Sequence, residues 1–223
     1  MKKVNDLELF NFYLKQNKVN DFFSEDLISK MELFFFNKGE YICRASEPVN
    51  YLFFLVKGKC SVFNIVKNGK SLLICFYNNF EVLCEFEFFN DGISKTNIKA
   101  VEDTYCFGIS VWKYRDELMK DIKLLNFLCA HLCKKLERSD RNNSINLLYS
   151  LENRLASYIL FTEKEGCFFS NYTQLAEHLG TSHRHLLRVL HGLCDKGILT
   201  KKEDGYHIKN IELLREISGD YYE

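Results

Sequence analysis

The chain begins with a segment in which apolar side chains recur at intervals of three or four residues. This spacing places them on one face of a helix. In residues 1–31 the members of the set are Leu7, Phe10, Leu14, Phe22, Phe23, Leu27 and Ile28. We therefore predict short helices throughout this segment.

Residues 32–110 alternate between short apolar runs, rich in Phe, Ile, Val, Leu and Tyr, and turn signals. The turn signals are Asn37-Lys-Gly39, Ser46-Glu-Pro48, Lys57-Gly58, Asn68-Gly69, Asn78-Asn79 and Asn90-Asp-Gly92. Strands spaced about ten residues apart and separated by turns indicate an antiparallel barrel or sandwich. Asn68-Gly69 predicts a tight hairpin, because both residues tolerate positive φ.

Residues 111–150 contain neither Gly nor Pro and carry a long apolar stripe between charged residues. The stripe consists of Leu118, Ile122, Leu125, Leu128, Leu132 and Leu136. This pattern predicts one long amphipathic helix, which can pack on its own barrel or on a symmetry mate. The length of the stripe, at a domain junction, favours dimerisation through Leu125, Leu128, Leu132 and Leu136.

Residues 151–223 return to helical spacing. Helices are predicted over residues 151–163, 172–179 with Thr173 as N-cap, 182–194 with Ser182 as N-cap, and 211–217. Gly180 is placed as the glycine that ends the second of these helices. A small hairpin follows the third helix, with a polar tip at residues 201–205. This order is that of a winged helix-turn-helix, which places the start of its second helix in the DNA major groove.

That helix begins within the stretch GTSHRHLLRVL, which gathers two arginines and two histidines. The helix dipole disfavours cations at a helix start by a few tenths to about 1 kcal/mol, so this cluster serves folding poorly. An arginine at this position can instead read a guanine edge through a bidentate pair. We predict DNA contacts from His183, Arg184, Arg188, Thr173, Ser182, His185, Lys201 and Lys202.

Other interpretations of this basic face are weighed beside DNA binding. A run of charges is most often a solvated surface, and the spacing of His183, His185 and His191 does not put three imidazoles on one helix face, so no metal site is predicted. Residues 151–223 hold nine Lys and Arg against eleven Asp and Glu, a net charge of −2, whereas DNA-binding domains are usually basic. The alternative function is therefore a ligand-binding module whose helical domain contacts a protein partner.

The composition of the whole chain is that of a globular protein. It has 223 residues, of which 47% are hydrophobic and 27% charged, and its formal net charge is zero, so any affinity for a polyanion must be local. Nine cysteines without a CxxC pair indicate reduced thiols, and no apolar run approaches the ~18–20 residues of a membrane span. We expect a cytoplasmic protein with no membrane contact. The sequence lacks a nucleophile elbow, HExxH and GxxxxGK[ST], so no enzyme is expected.

Taken in order, these segments resemble the Crp/Fnr regulators, the family of the cyclic-AMP receptor protein. The resemblance spans nearly the full chain and lies in Lys38-Gly-Glu40, residues 46–58 (SEPVNYLFFLVKG), Asn68-Gly69, residues 174–190 (QLAEHLGTSHRHLLRVL) and residues 205–210 (GYHIKN). The DNA-binding segments are most similar to the YeiL-type branch. The resemblance implies an α+β fold: a cyclic-nucleotide-binding-type β-roll, which is an antiparallel jelly roll, over residues 1–115, a dimerisation helix over 116–150 and a winged helix-turn-helix over 151–223.

The resemblance further implies a homodimer that binds a palindromic operator in double-stranded DNA, with RNA polymerase as a candidate further partner. Three positions of the recognition helix touch DNA in the family, and they fall on His183, Arg184 and Arg188. The family commonly has Arg-Glu at the first two positions. The His-Arg found here therefore argues for a different operator sequence.

The sensor segment of the resemblance is residues 80–96, FEVLCEFEFFNDGISKT. In nucleotide-binding relatives a Gly-Glu pair and a later Arg-Ser or Arg-Thr hold ribose and cyclic phosphate. Glu85 and Thr96 match two of these positions, but Cys84 replaces the glycine and Lys95 replaces the arginine. A Cβ obstructs the close backbone approach that glycine permits, and lysine cannot make the two-pronged phosphate contact of a guanidinium.

The same alignment places Ser139 and Asp140 near the adenine position, where Asp140 adds negative charge. These departures argue against ordinary cyclic AMP, so the effector is another molecule or there is none. Glu85 and Lys95 can equally form an internal ion pair across an empty pocket.

Some relatives carry iron–sulfur clusters on cysteines that lie close together, mostly near the N-terminus. This chain has no cysteine before Cys43, so no cluster is expected. Cys129 and Cys133 share a helix face at i, i+4 and are predicted to pack at the dimer interface, with a redox or metal role left open.

Overall fold

The computed structural model describes residues 1–65, 71–78, 80–203 and 205–218, and for residues 141–148 it describes the helical backbone alone. The chain divides into two compact units, Met1–Asn64 with Ile74–Glu137 and Ile65–Leu73 with Arg138–Glu223. The hairpin tip predicted at Asn68-Gly69 lies outside the described residues. Within the described part of the chain, no helix is long and apolar enough to cross a membrane.

The N-terminal segment contains the predicted short helices and, before them, a strand. β1 (Lys2–Val4) pairs antiparallel with β2 and is followed by α1 (Leu7–Gln16), α2 (Val19–Phe22) and α3 (Glu25–Ser29). The carboxylate of Asp6 caps α1 and the hydroxyl of Ser24 caps α3. The sequence did not predict β1, because three residues, two of them lysine, are too few to show alternation.

Two antiparallel sheets follow, as the turn-separated apolar runs predict. One sheet has the strand order β1-β2-β9-β4-β7 and the other β3-β8-β5-β6, with the short helix α4 between β7 and β8. The bounds are β2 (Glu32–Phe36), β3 (Tyr41–Cys43), β4 (Tyr51–Lys57), β5 (Lys59–Ile65), β6 (Ser71–Asn78), β7 (Glu81–Leu83), α4 (Glu85–Phe89), β8 (Asn97–Ala100) and β9 (Thr104–Ser110).

The central strand β4 is buried on both of its faces, which explains its unbroken apolar sequence. Leu52 and Phe54 pack with the N-terminal helices and with Leu124 and Leu128 in one core cluster. Phe53 and Leu55, which point to the opposite face, pack with the second sheet in another cluster. Successive side chains of β4 therefore point alternately into two different core clusters.

The single helix predicted over residues 111–150 is two helices, α5 (Val111–Leu118) and α6 (Ile122–Leu148). The break occurs without Gly or Pro because Asp121 provides an N-cap: its carboxylate accepts a hydrogen bond of 3.0 Å from the backbone N–H of Leu124. The prediction of one continuous helix is therefore wrong at this point, and the long amphipathic helix begins at Ile122.

The second unit contains the predicted winged helix-turn-helix. Its elements are α7 (Leu151–Thr162), β10 (Cys167–Phe168), α8 (Tyr172–His178), α9 (His183–Asp195), β11 (Leu199–Lys202), β12 (Gly205–Ile208) and α10 (Ile211–Ser218). The wing is a sheet of order β10-β12-β11, and β10 was not predicted because two residues carry no pattern. Leu175, Leu179, Leu186, Leu190 and Leu193 share one core, as their helical spacing predicts.

Candidate nucleic-acid interface and sensor site

A Schellman turn joins the two helices of the DNA-binding motif. Gly180 has φ +63°, its N–H donates to the carbonyl of Glu177, and the N–H of Thr181 donates to the carbonyl of Ala176. Arg154 on α7 adds a 3.0 Å hydrogen bond from Nη1 to the carbonyl of Leu179. The turn therefore holds the start of α9 at a fixed angle to α8.

Side-chain caps define the first turn of each helix. Ser182 accepts a 3.2 Å hydrogen bond from the N–H of His185 and is the N-cap of α9, as predicted. The cap of α8 is Asn171, whose Oδ1 accepts from the N–H groups of Thr173 and Gln174, so the prediction of Thr173 as N-cap is wrong. Asparagine is the better cap because its carbonyl oxygen reaches two N–H groups at once. Thr173 lies exposed in the first turn of α8.

The start of α9 presents an exposed basic face. His183, Arg184 and Arg188 are exposed, on the side of the helix opposite the buried Leu186 and Leu190. His185 differs from them, because it is half-buried and its Nδ1 lies 3.3 Å from Thr181 Oγ1. The structure thus brings three of the predicted DNA-contacting residues to one surface, whereas His185 contacts Thr181 in the turn.

The wing carries the two remaining predicted lysines. Lys201 pairs across the hairpin with Tyr206, and Lys202 with Gly205. Both lysine side chains are exposed at the end of β11, whereas the Tyr206 side chain is buried. Their ammonium groups can reach a phosphate but carry no base-reading geometry.

The first compact unit, Met1–Asn64 with Ile74–Glu137, is the sensor unit. In it, Glu85 is neutralised by a lysine that sequence reasoning missed. Its carboxylate is almost fully buried and lies 2.5 Å from Lys135 Nζ on α6. Lys135 also donates to the carbonyl of Val82, and its Nζ lies 4.4 Å from the centre of the Tyr77 ring. The available signal was the helical period, which places Lys135 in line with Leu124 and Leu128 on the inward face of α6.

The predicted ion pair between Glu85 and Lys95 does not form. Lys95 Nζ instead lies 2.8 Å from Asp91 Oδ2, and both side chains are more than half exposed. Asp91 is the nearer partner for Lys95, because the two residues are four positions apart in a tight loop. Thr96 contributes its carbonyl oxygen, which accepts a 2.8 Å hydrogen bond from the hydroxyl of Ser94.

Cys84 lies at the N-cap of α4 in the left-handed region, with φ +70°. Glycine adopts this conformation freely, whereas other residues are strained there by about 1–3 kcal/mol. Cys84 is buried in the core cluster against which Cys43 of β3 packs. The Cys43 thiol and burial raise the pKa of the Cys84 thiol.

The residues predicted on α6 divide between two faces. Leu128 is completely buried in the core of the sensor unit and Leu125 is packed against that core, while Leu132 is half-buried and Leu136 is 63% exposed. Ser139 and Asp140 are exposed one turn beyond Lys135. Cys129 and Cys133 are exposed as well, and the described residues contain no cluster of metal-binding side chains.

Comparison with known proteins assigns both units. Residues 33–121 match the model of the cyclic nucleotide-binding domain, and residues 153–217 match that of the Crp-like helix-turn-helix domain. The chain is 31% identical over 206 residues to the regulatory protein YeiL of Escherichia coli O157:H7, covering 92% of this chain and 93% of that protein. The chain belongs to the Crp/Fnr family of transcription regulators.

One further relative and one solved structure are similar to this chain. The cyclic AMP receptor protein of Thermus thermophilus is 26% identical over 174 residues, which is 75% of this chain and 79% of that protein. The crystal structure of a Crp/Fnr-family protein from Eubacterium rectale has the same fold, with a TM-score of 0.77 at 16% identity over 90% of this chain and 96% of that one. The chain is thus a Crp-like DNA-binding regulator with a cyclic-nucleotide-type sensor domain. This assignment decides against the protein-partner alternative that the charge of residues 151–223 left open.

Proposed function

We propose that this Crp/Fnr regulator binds a palindromic operator as a homodimer, and that its sensor domain does not take ordinary cyclic AMP. The observation that carries the second part is the buried ion pair between Glu85 and Lys135. Glu85 is the carboxylate expected to hold a ribose hydroxyl. Here it is already satisfied by a cation of the same unit.

A nucleotide would have to displace this lysine before it could use the carboxylate. Removing one partner of a buried ion pair costs about 3–5 kcal/mol, because the other charge is left uncompensated. The ligand would also lack an arginine for its phosphate, since Lys95 faces Asp91 at the surface. Together with the strained Cys84 at the glycine position, these contacts oppose cyclic AMP at three separate points.

The exposed face of α9 supports sequence-specific DNA contact. Arg184 and Arg188 are one turn apart, and both are exposed near the start of the helix. A guanidinium in this place can pair with guanine N7 and O6 or with a phosphate. Because the domain is acidic as a whole, its attraction to DNA depends on this local charge and falls steeply with salt.

The outer face of α6 supports a homodimer. Ile122, Leu125, Cys129, Leu132 and Leu136 follow one another at steps of three, four, three and four residues. This is the spacing of a coiled-coil seam. Ile122 and Leu136 are 72% and 63% exposed. A second copy of the chain, packed along this seam, would bury these apolar side chains. Leu128, which we predicted in the dimer contact, instead belongs to the face that packs on the sheet.

Fluorescence anisotropy on the duplex upstream of the protein's own gene tests the proposal. The protein is titrated with and without cyclic AMP, and the same titration is made with Arg184→Ala and Arg188→Ala. We expect binding that ignores the nucleotide and a loss of about 1–3 kcal/mol for each variant. The control is Arg215→Ala, which removes the same charge from α10, where Arg215 pairs with Glu212.

Binding that requires cyclic AMP would overturn the assignment of the sensor. An Arg188→Ala protein with unchanged affinity, beside an equally unchanged Arg215→Ala protein, would contradict the proposed DNA surface. If Arg184→Ala weakens all sequences equally, Arg184 contacts phosphate only and base reading lies with its neighbours.

A further inference from the structure

The sensor unit contains a cleft at the place where β1, α1, α3, β2 and the start of α5 meet. Its volume is about 700 Å³, which lies within the ~300–1,000 Å³ of sites that bind small molecules. We call it the N-terminal cleft. Its described lining includes neither Glu85 nor Lys135, so it is separate from the position compared with cyclic AMP above.

The apolar lining of the N-terminal cleft is continuous with the core. Leu33 is buried in one core cluster, and the half-buried Phe10, Leu14 and Ile28 pack against that cluster. Leu7 lines the same cleft and is 74% exposed. Apolar surface therefore extends from solvent to the core, which suits a ligand with an apolar body.

Three lysines line the cleft, and two of them are already neutralised. Lys3 Nζ lies 2.6 Å from Glu32 Oε1. Lys30 Nζ lies 2.6 Å from Asp26 Oδ2 and 2.6 Å from Glu117 Oε2. These two ammonium groups would have to give up carboxylate partners before they could bind an anionic ligand.

Lys113 is the remaining cation of the cleft. Its side chain is exposed, its Nζ lies 4.8 Å from the centre of the Tyr114 ring, and it contacts no carboxylate among the residues that the structure describes. Asp6, which also lines the cleft, is engaged as the N-cap of α1 and accepts a 2.9 Å hydrogen bond from the N–H of Leu9. One ammonium group, a point charge, matches a ligand with a single negative charge.

We infer that the N-terminal cleft binds an apolar monocarboxylate, meaning an aryl or medium-chain alkyl acid. Its carboxylate pairs with Lys113, and its apolar body packs on Phe10, Leu14 and Ile28. The inference rests on the proposed function, for which it names a class of effector in place of ordinary cyclic AMP.

Helix α5 connects the cleft to α6. Lys113 and Glu117 lie one turn apart on α5, and Glu117 joins this helix to Lys30 at the end of α3. Leu118, the last residue of α5, is completely buried in the cluster that contains Leu124 of α6. A ligand held by Lys113 would shift α5, and the close-packed core would transmit this shift to α6.

Isothermal titration calorimetry of the full chain with phenylbutyrate and with octanoate tests the site. We expect both acids to bind at one site per chain. Phenylbutanol, which lacks the charge, and acetate, which lacks the apolar body, should bind at least about tenfold more weakly. Lys113→Met should weaken both acids by about the same factor. Lys120→Met is the matched control, because it removes an exposed lysine that follows α5 and does not line the cleft.

A second variant blocks the cleft without removing a charge. Asn11 is exposed on α1 and lines the cleft, so Asn11→Trp should fill it while the circular dichroism spectrum stays unchanged. This variant should bind neither acid. Phenylbutyrate at saturation should change the operator affinity of the unaltered chain by about 5–150-fold, the range of ordinary allosteric coupling, and should not change that of Asn11→Trp.

Four outcomes would count against these proposals. If neither acid binds, or if Lys113→Met binds both as tightly as the unaltered chain does, the site is wrong. A folded Asn11→Trp protein that still binds the acids would place their binding outside the cleft. If the acids bind and operator affinity does not change, their role as effectors is wrong. A protein that binds no operator with or without the acids would contradict the proposed function separately, because calorimetry reports on the cleft without DNA.

Discussion

The single side chain with the greatest consequence is Lys135, because it pairs with Glu85, the carboxylate at the position proposed for an effector. The two groups are separated by 50 positions in the chain and meet in an interior where Glu85 is 4% exposed. A buried charge is tolerated only when it is paired and hydrogen-bonded. The ion pair therefore affects both the stability of the sensor unit and the availability of the Glu85 carboxylate to an effector.

Replacing Lys135 by Met should destabilise the protein by about 3–5 kcal/mol, since Glu85 is left without a counter-charge. Urea denaturation followed by circular dichroism measures this loss. The double variant Lys135→Met/Glu85→Gln removes both charges and should recover most of it. Lys134→Met is the matched control, because Lys134 is the exposed neighbour on the same helix.

A Lys135→Met protein as stable as the unaltered chain would show that Glu85 finds water or another donor. In that case Glu85 is available to a ligand, and the single variant should then be tested for nucleotide binding. A double variant no more stable than the single one would show instead that the lysine acts through Val82 and Tyr77.

Among the turns and helices, the link between α8 and α9 is the one that positions DNA contacts. Gly180 has φ +63° there, whereas Gly192 lies inside α9, where a Cβ would meet no heavy atom within 4 Å. The two glycines thus provide opposite tests in one motif. Gly180→Ala should destabilise the protein by about 1 kcal/mol or more, because alanine is strained in the left-handed region.

Gly192→Ala should stabilise the protein by about 0.5–1 kcal/mol, because alanine loses less conformational entropy in a helix. Thermal denaturation of both variants checks the two signs. If Gly180→Ala is neutral, the turn relaxes without its left-handed residue and the angle between α8 and α9 is not fixed by it.

The secondary structure shows how far periodicity can predict this fold. The helices of the second unit lie within one or two residues of their predicted ends, because caps and glycines mark them in the sequence. The strands β1 and β10 were missed because two or three residues have no measurable period. The break at Asp121 was missed although an N-cap residue was present, because the apolar stripe continues across it.

The candidate site was predictable only in part, for a related reason. The exposed face of α9 follows from helical spacing alone, and the structure confirms that His183, Arg184 and Arg188 lie on it. The partner of Glu85 could not be found in this way. Periodicity shows which face of α6 is buried, but not which strand or carboxylate that face meets.

For the chain as a whole, the division of α6 into two faces separates folding from assembly. Leu128 is completely buried against the sheets, and Leu136 is 63% exposed on the proposed seam. Leu136→Asp should therefore leave the protomer folded and dissociate the dimer, since a charge at a seam position opposes association. Sedimentation velocity should show monomers with an unchanged circular dichroism spectrum.

Leu128→Ala provides the opposite case in the same helix. It should cost about 2–5 kcal/mol of stability through the cavity that it leaves, while the folded fraction remains dimeric. Operator binding should also depend on the dimer. Leu136→Asp should lower operator affinity far more than Arg184→Ala or Arg188→Ala does, because a monomer contacts only one half-site. If Leu136→Asp remains a dimer by sedimentation, the two copies meet on another surface, and the exposed stripe of α6 must be covered by something other than its symmetry mate.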